Sequence, residues 1–311
     1  NDRVFINGVE VGNTPYRYPP RKYVVPGELL KEGTNSIVIR VRVETGCGRF
    51  TVGKKYAIWN DECEVDLTGT WQYRIGATCD IRPETDFTSW KPTGLYNGMT
   101  APCHKYTVNG VLWYQGESNA GEPEVYKDLF ARLVSGYRRK WQNEELPVYY
   151  VQLPNFTIDM YNDPNVTGRE WAEMRVAQAS SLTIPYTGMV TAIDLGEDND
   201  LHPLNKEGIG RRLALLAAAN VHGMDVEYSG PVPKEAVLQK AQNNHGCTIV
   251  ISCAHVEDGM YASNPDKTDE IIDFELLDEA GNVYAADAVI NGDIITVSSN
   301  ATANPSIVRY C

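Results

Sequence analysis

The stretch VLWYQGESNAGEPEVYKDLFARLVSGYRRKWQNEELPVYYVQL, residues 111–153, decides the fold. Val111, Leu112, Trp113 and Tyr114 make an apolar run without helical spacing, the pattern of a short strand covered on both faces in a parallel sheet. YKDLFARLVSGYRRKW (126–141) then sets Leu129, Phe130, Leu133, Val134 and Tyr137 at helical spacing, and PVYYVQL (147–153) reads as a second buried strand. The alternation continues downstream. REWAEMRVAQASSL (169–182) is a second helix, TGMVTAIDLG (187–196) a third strand, and NKEGIGRRLALLAAAN (205–220) a third helix, capped by Asn205 and carrying Ile209, Leu213 and Leu216 on one stripe. Strands alternating with helices specify a three-layer α/β domain, assigned to residues 89–225.

On either side the texture changes. VFINGVEVG (4–12) is two short apolar alternations joined at Asn7-Gly8, the dipeptide of a tight hairpin. NSIVIRVRVE (35–44) puts Ile37, Ile39, Val41 and Val43 on one face of a strand, and TWQYRIG (70–76) is a further strand. Residues 1–88 are therefore expected to be an all-β module. After residue 226, TIVISCA, IIDFELLDEAGNVYAADAVI and GDIITVSS return to strands and turns, and a β-sandwich is expected over 226–311.

Composition excludes several classes. A net charge of −13 over 311 residues lacks the Lys and Arg clusters that nucleic acid or an anionic membrane demands, so neither partner is expected. Six Trp and 18 Tyr lean toward a carbohydrate-facing surface, although aromatic residues serve the core more often. The sequence holds no transmembrane run, and NDRVFINGVE has no signal-peptide layout. Cys47, Cys63, Cys79, Cys103, Cys247, Cys253 and Cys311 have neither zinc nor redox spacing. No metal and no cofactor are expected, and buried free thiols are the default for scattered cysteines.

Two polar clusters carry the chemistry. The strand of 111–114 ends in Gln115, Gly116, Glu117, Ser118 and Asn119, hydrogen-bonding side chains at the place where open parallel sheets bind ligands. Gln115 or Asn119 can donate an amide N–H to a developing oxyanion. Glu117 cannot donate when ionised and is assigned to hold a neighbour, Arg175 on the following helix. Ser118 approximates a nucleophile elbow, but the last glycine is missing and a structural role ranks above it. The bland reading of the loop is a polar strand cap. The second cluster, AIDLGEDNDLHPLNKEG (192–208), places His202 before the capped helix with Asp194, Asp198 and Asp200 nearby, the combination that makes an imidazole a base. His104, His222, His245 and His255 are read as structural or exposed.

WYQGESNA (113–120), GLYNGMTAP (94–102), LFARLVSGYRRKW (129–141) and DNDLHPLNKEGIGRRLAL (198–215) together resemble the sialate O-acetylesterase family of SGNH-type carbohydrate esterases. NGVEVGNTPYRYPPRKYVVPGELLKEGTNSIVIRV (7–41) resembles the β-domain inserted in that family's hydrolase domain. The resemblance implies a flavodoxin-like SGNH hydrolase with an inserted, galactose-binding-like β jelly-roll. It implies His202 as the catalytic base and the Gln115 to Asn119 loop as part of the acetyl pocket, with Trp113, Asn97 and Asn119 toward the substrate. Asp200 is the first choice to orient His202, although related esterases have the aspartate three positions before the histidine, where this chain has Asn199; Asp194, Asp198 or a backbone carbonyl are the substitutes. The family's nucleophile sits in a Gly-Gln-Ser-Asn motif N-terminal to the insert, and no such motif occurs here. The chain is thus expected to begin inside the insert, to be cut within its last domain at Cys311, and to partner the missing N-terminal segment. A secreted or periplasmic location is expected.

Three functions follow as expectations. The first is an O-acetylesterase acting on acetylated sialic acid or another acetylated glycan. The second is a glycoside hydrolase pairing Glu117 with an aspartate of 194–200. The third is a non-catalytic glycan-binding fragment.

Overall fold

The computed structural model describes residues 1–15, 21–43, 50, 54–80, 91–156, 169–197, 200–240, 246–257, 259–262, 270–302 and 304–310. It separates into two compact units, one of Asn1–Tyr106, Phe156–Tyr161 and Glu197–Pro203, the other of Thr107–Asn155, Asn162–Gly196 and Leu204–Cys311.

In the first unit β1 (Asp2–Ile6) pairs antiparallel with β2 (Val9–Thr14) and β3 (Ile37–Val41). Asn7 at φ 49° and Gly8 at φ 89° make the tight turn that the dipeptide announces, because both positions need the left-handed region. The Asn7 side chain also donates to the Leu29 carbonyl at 2.7 Å and accepts from the Ser36 N–H at 2.9 Å, joining the turn to the segment ahead of β3. A separate hairpin joins β4 (Ala57–Trp59) to β5 (Glu64–Asp66). TWQYRIG is not a strand. Residues 70–76 have no ladder partner among the described residues, and Tyr73 is 92% exposed. Apolar alternation makes a strand only where a neighbouring edge takes up its backbone groups and a core its side chains.

The second unit contains the parallel sheet that the opening stretch foretells. Its order is β6 (Val111–Trp113), β7 (Val148–Val151) and β8 (Thr187–Val190), connected by α1 (Pro123–Trp141) and α2 (Arg169–Ser180) and followed by α3 (Lys206–Asn220). Central β7 is buried along its whole length, and its alternating side chains serve two layers. Tyr149 and Val151 pack on Ile209, Leu213 and Leu216 of α3, whereas the Tyr150 ring lies 4.7 Å from that of Phe130 on α1. Both faces of β6 were expected to be covered, yet Leu112 is 62% exposed, because β6 is the edge of the described sheet.

On α1 the buried stripe runs Tyr126, Phe130, Val134 and Arg138. Arg138 gives its guanidinium to three backbone carbonyls, Leu146 at 3.1 Å, Pro185 at 2.6 Å and Tyr186 at 3.3 Å, and so ties α1 to the segments entering β7 and β8. Arg138→Met keeps the length of the stem and strands those carbonyls. We expect a loss of about 2–4 kcal/mol, read as a lower urea midpoint at unchanged m value.

The remainder of this unit is a curled antiparallel sheet of six strands, β9 (Val232–Lys240), β10 (Cys247–Ala254), β11 (Glu270–Leu277), β12 (Val283–Asn291), β13 (Ile294–Ser299) and β14 (Ile307–Tyr310), in the order β14-β11-β12-β13-β10-β9. Where the sequence suggests a sandwich, the described strands form this one sheet. Every second residue of β10 faces inward: Cys247, Ile249, Ile251 and Cys253 are buried against Phe274, Leu276, Ala288 and Val297. Cys63, Cys79 and Cys103 are exposed thiols instead, and Cys47 and Cys311 lie outside the described residues.

Candidate functional site

Because β6, β7 and β8 are parallel, their carboxyl ends deliver the segments that follow them to one edge of the sheet. The first of these turns at Gly116 into the short 3-10 turn Glu117–Asn119. The Gln115 side chain spans this turn, Nε2 donating to Asn119 Oδ1 at 2.8 Å, and the two amides named from the sequence therefore form a single polar unit. Backbone closes the turn beneath them, with the Asn119 N–H on the Gly116 carbonyl at 2.9 Å. Gly116 suits a close approach: a Cβ there would lie 3.0 Å from Gln178 Nε2 and 3.0 Å from Met174 Cε, tight contacts that would push the ends of those side chains aside. Ser118 is exposed, and its hydroxyl makes no hydrogen bond among the described residues.

The backbone of Gln115 is gripped from below. Its carbonyl accepts from the Tyr126 hydroxyl at 3.2 Å and from Gln178 Nε2 at 3.3 Å. Gln178 also donates to the Val151 carbonyl at 3.2 Å and accepts from the Leu153 N–H at 2.9 Å, so one amide holds the ends of two strands. Half-buried Trp113 sits at the end of β6, next to the Tyr126 hydroxyl.

Glu117 is not paired with Arg175, contrary to the sequence reading. Its Oε2 folds back onto the Gly116 N–H at 3.0 Å, and no ion pair joins it to Arg175 among the described residues. A backbone donor one residue away is the nearer partner and needs less side-chain ordering. Beside it, burial, with the Glu117 charge adding to it, pushes the Tyr114 hydroxyl up to about 12. Lys206, the first residue of α3, lies 4.7 Å over the Tyr114 ring. Glu117→Gln keeps the shape of the loop and removes only the charge. The expected result is a small change in melting temperature and a lower Tyr114 pKa that still stays above 10, since burial remains; ring-labelled tyrosine NMR reads it, and a collapse of stability would restore the ion-pair assignment.

At the end of β8 the chain makes a tighter passage. A Cβ at Gly196 would fall 2.0 Å from Asn155 Oδ1 and 2.7 Å from the Asn155 carbonyl. Asp194 is engaged by Arg212 at 2.7 and 2.5 Å, which holds its carboxyl below the usual range despite partial burial. The next residues, Glu197–Pro203, belong to the first unit. There Asp200 Oδ1 accepts from the His202 backbone N–H at 2.9 Å, and Lys54 bridges Glu197 at 2.7 Å and Asp200 at 3.5 Å. His202 itself is exposed. Exposed Asn97, in the turn Tyr96–Thr100 of the same unit, donates to Thr93 Oγ1 at 3.3 Å. Asp198 and Asn199 lie outside the described residues.

Sequence reasoning missed Gln178, Tyr126 and Lys54. Gln178 left a signal, because it shares the buried stripe of α2 with Trp171 and Met174, and a polar side chain on an apolar stripe must be meeting something. Lys54 left none, since an isolated lysine is ordinarily a solvated surface charge.

Comparison with known proteins extends this picture. Residues 82–219 match a family model described as carbohydrate esterase, sialic acid-specific acetylesterase. The sialate O-acetylesterase of Rattus norvegicus is 30% identical over 160 residues, which cover 46% of this chain and 29% of the rat protein. That of Homo sapiens is 28% identical over 162 residues, covering 48% and 31%. The crystal structure of a carbohydrate acetylesterase from Xanthomonas citri is similar at 32% identity and a TM-score of 0.59, over 70% of this chain and 47% of that one. The matched residues thus span about a third or less of the mammalian relatives' length.

Proposed function

We propose that this chain, whose residues 82–219 match the family model of sialic acid-specific acetylesterases among the carbohydrate esterases, belongs to that family and hydrolyses acetyl esters on sialic acid or another acetylated glycan. The observation that carries this reading is the Gln115–Asn119 pair at the end of β6. Two primary amides coupled at 2.8 Å on a braced strand end are donors already arranged for an oxyanion. In this reading the parallel-sheet layers are part of a flavodoxin-like SGNH hydrolase domain, and residues 1–88 are part of a jelly-roll inserted in it.

The chemistry follows the serine-esterase sequence. A serine hydroxyl attacks the acetyl carbonyl while the imidazole of His202 takes its proton. The carbonyl oxygen becomes an oxyanion held by amide N–H groups of Gln115 and Asn119. Collapse breaks the bond to the sugar oxygen, which leaves as a hydroxyl on taking the proton back from His202, and a water activated by the same imidazole then releases acetate from the acyl-serine and restores the serine. The family's Gly-Gln-Ser-Asn motif does not occur among the 311 residues. In this reading the nucleophile is a serine other than Ser118.

Incubation with a 9-O-acetylated sialoside tests the proposal. The expected products are acetate and a deacetylated sialoside with its glycosidic bond intact. Free sialic acid that retains its acetyl group would mark a glycosidase instead, and binding without any product would mark a glycan-binding protein.

A further inference from the structure

We propose that Gln178 on α2 is a positioning residue of this site: its buried amide fixes the Gln115 backbone and thereby the direction in which the Gln115 and Asn119 side chains leave the end of β6. The inference rests on the acetylesterase reading for its catalytic consequence and on geometry for the positioning itself. Gln178 has 0% exposure, and a buried primary amide is retained only where its hydrogen-bonding groups are used. Here they are used on strand ends, the Gln115 and Val151 carbonyls and the Leu153 N–H, at the place where the sheet's own ladder runs out. Tyr150 fixes the helix in turn by donating its hydroxyl to the Gln178 carbonyl at 2.8 Å. Gly116 completes the arrangement, since its lack of a Cβ lets the Gln178 amide lie against the turn. A methionine fills the same volume and holds none of these groups, so the loop end loses its direction while the apolar stripe stays packed.

Two substitutions in the full gene product separate positioning from mere stability. Gln178→Met is expected to lower kcat by about 10²-fold, the cost of a misplacement near 1 Å, with KM within about twofold. Amide hydrogen exchange should become faster at residues 116–120 and stay unchanged in α1 and α3. Gln178→Glu reads the same contacts through pH. Its neutral carboxyl accepts from the Leu153 N–H and donates to one carbonyl, whereas its ionised form faces two carbonyl oxygens. Burial favours the neutral form and raises that carboxyl's pKa. Activity of this variant therefore approaches wild type at the acid end and falls as pH rises, opposite in slope to an esterase whose histidine base becomes competent as it deprotonates.

The proposal is overturned if both variants fold, melt at lower temperature, and keep the wild-type kcat, pH profile and exchange of residues 116–120. Should Gln178→Met fail to fold, the acid-to-neutral profile of Gln178→Glu decides. Should the wild type release no acetate, the functional reading fails, and exchange at residues 116–120 in Gln178→Met still decides the positioning: faster exchange supports it and unchanged exchange overturns it.

Discussion

His202→Ala, made in the full gene product, lowers kcat for acetate release by about 10³-fold or more and leaves the melting temperature within a few degrees of wild type. The two halves of this expectation have separate causes. The imidazole is the group proposed to take the serine proton and return it to the leaving sugar, and neither water nor a neighbouring carboxylate replaces it at neutral pH. Stability is spared because the side chain is exposed, and the link to Asp200 runs through the backbone N–H, which alanine keeps. An unchanged rate with an unchanged fold would remove His202 from the mechanism. Asp200→Asn is a useful companion, since that carboxylate also meets Lys54.

Gln115→Ala is expected to lower kcat by about 10²–10³-fold with little change in KM. The amide does little for the planar ester and tightens on the oxyanion only as the tetrahedral intermediate forms, so its loss is felt in the transition state. The structure adds a reason for the size of the effect. Gln115 Nε2 is already held by Asn119 Oδ1, and the Gln115 carbonyl by Tyr126 and Gln178, so the donor needs almost no reorganisation. Asn119→Ala should act in the same direction, and the double variant should cost less than the sum because the two amides act as a unit. A rise in KM at constant kcat would instead make Gln115 a ground-state substrate contact.

What the sequence disclosed and what it concealed divide along physical lines. Local signals were legible: Asn7-Gly8 specifies its turn, Asn205 caps α3 by accepting from the Gly208 N–H at 3.0 Å, and VYYV of β7 is apolar because it is covered on both faces. The polar end of β6 was legible for the same reason, as a break in an apolar run. Signals that depend on distant partners were not. TWQYRIG alternates like a strand and has no ladder partner among the described residues, Glu117 accepts from the neighbouring Gly116 N–H at 3.0 Å, and Asp194 is committed to Arg212 on α3. Gln178 and Lys54 act across separations of 63 and 143 residues, which periodicity over a short window does not register.

The central claim is that the chemistry is acyl transfer from an acetylated glycan, and hydrolysis in water enriched in oxygen-18 tests it most directly. With a 9-O-acetylated sialoside as substrate, the account predicts the label in the carboxyl group of released acetate, an unlabelled sugar hydroxyl and an intact glycosidic bond. Label at the anomeric carbon of a released sugar that still carries its acetyl group would contradict it.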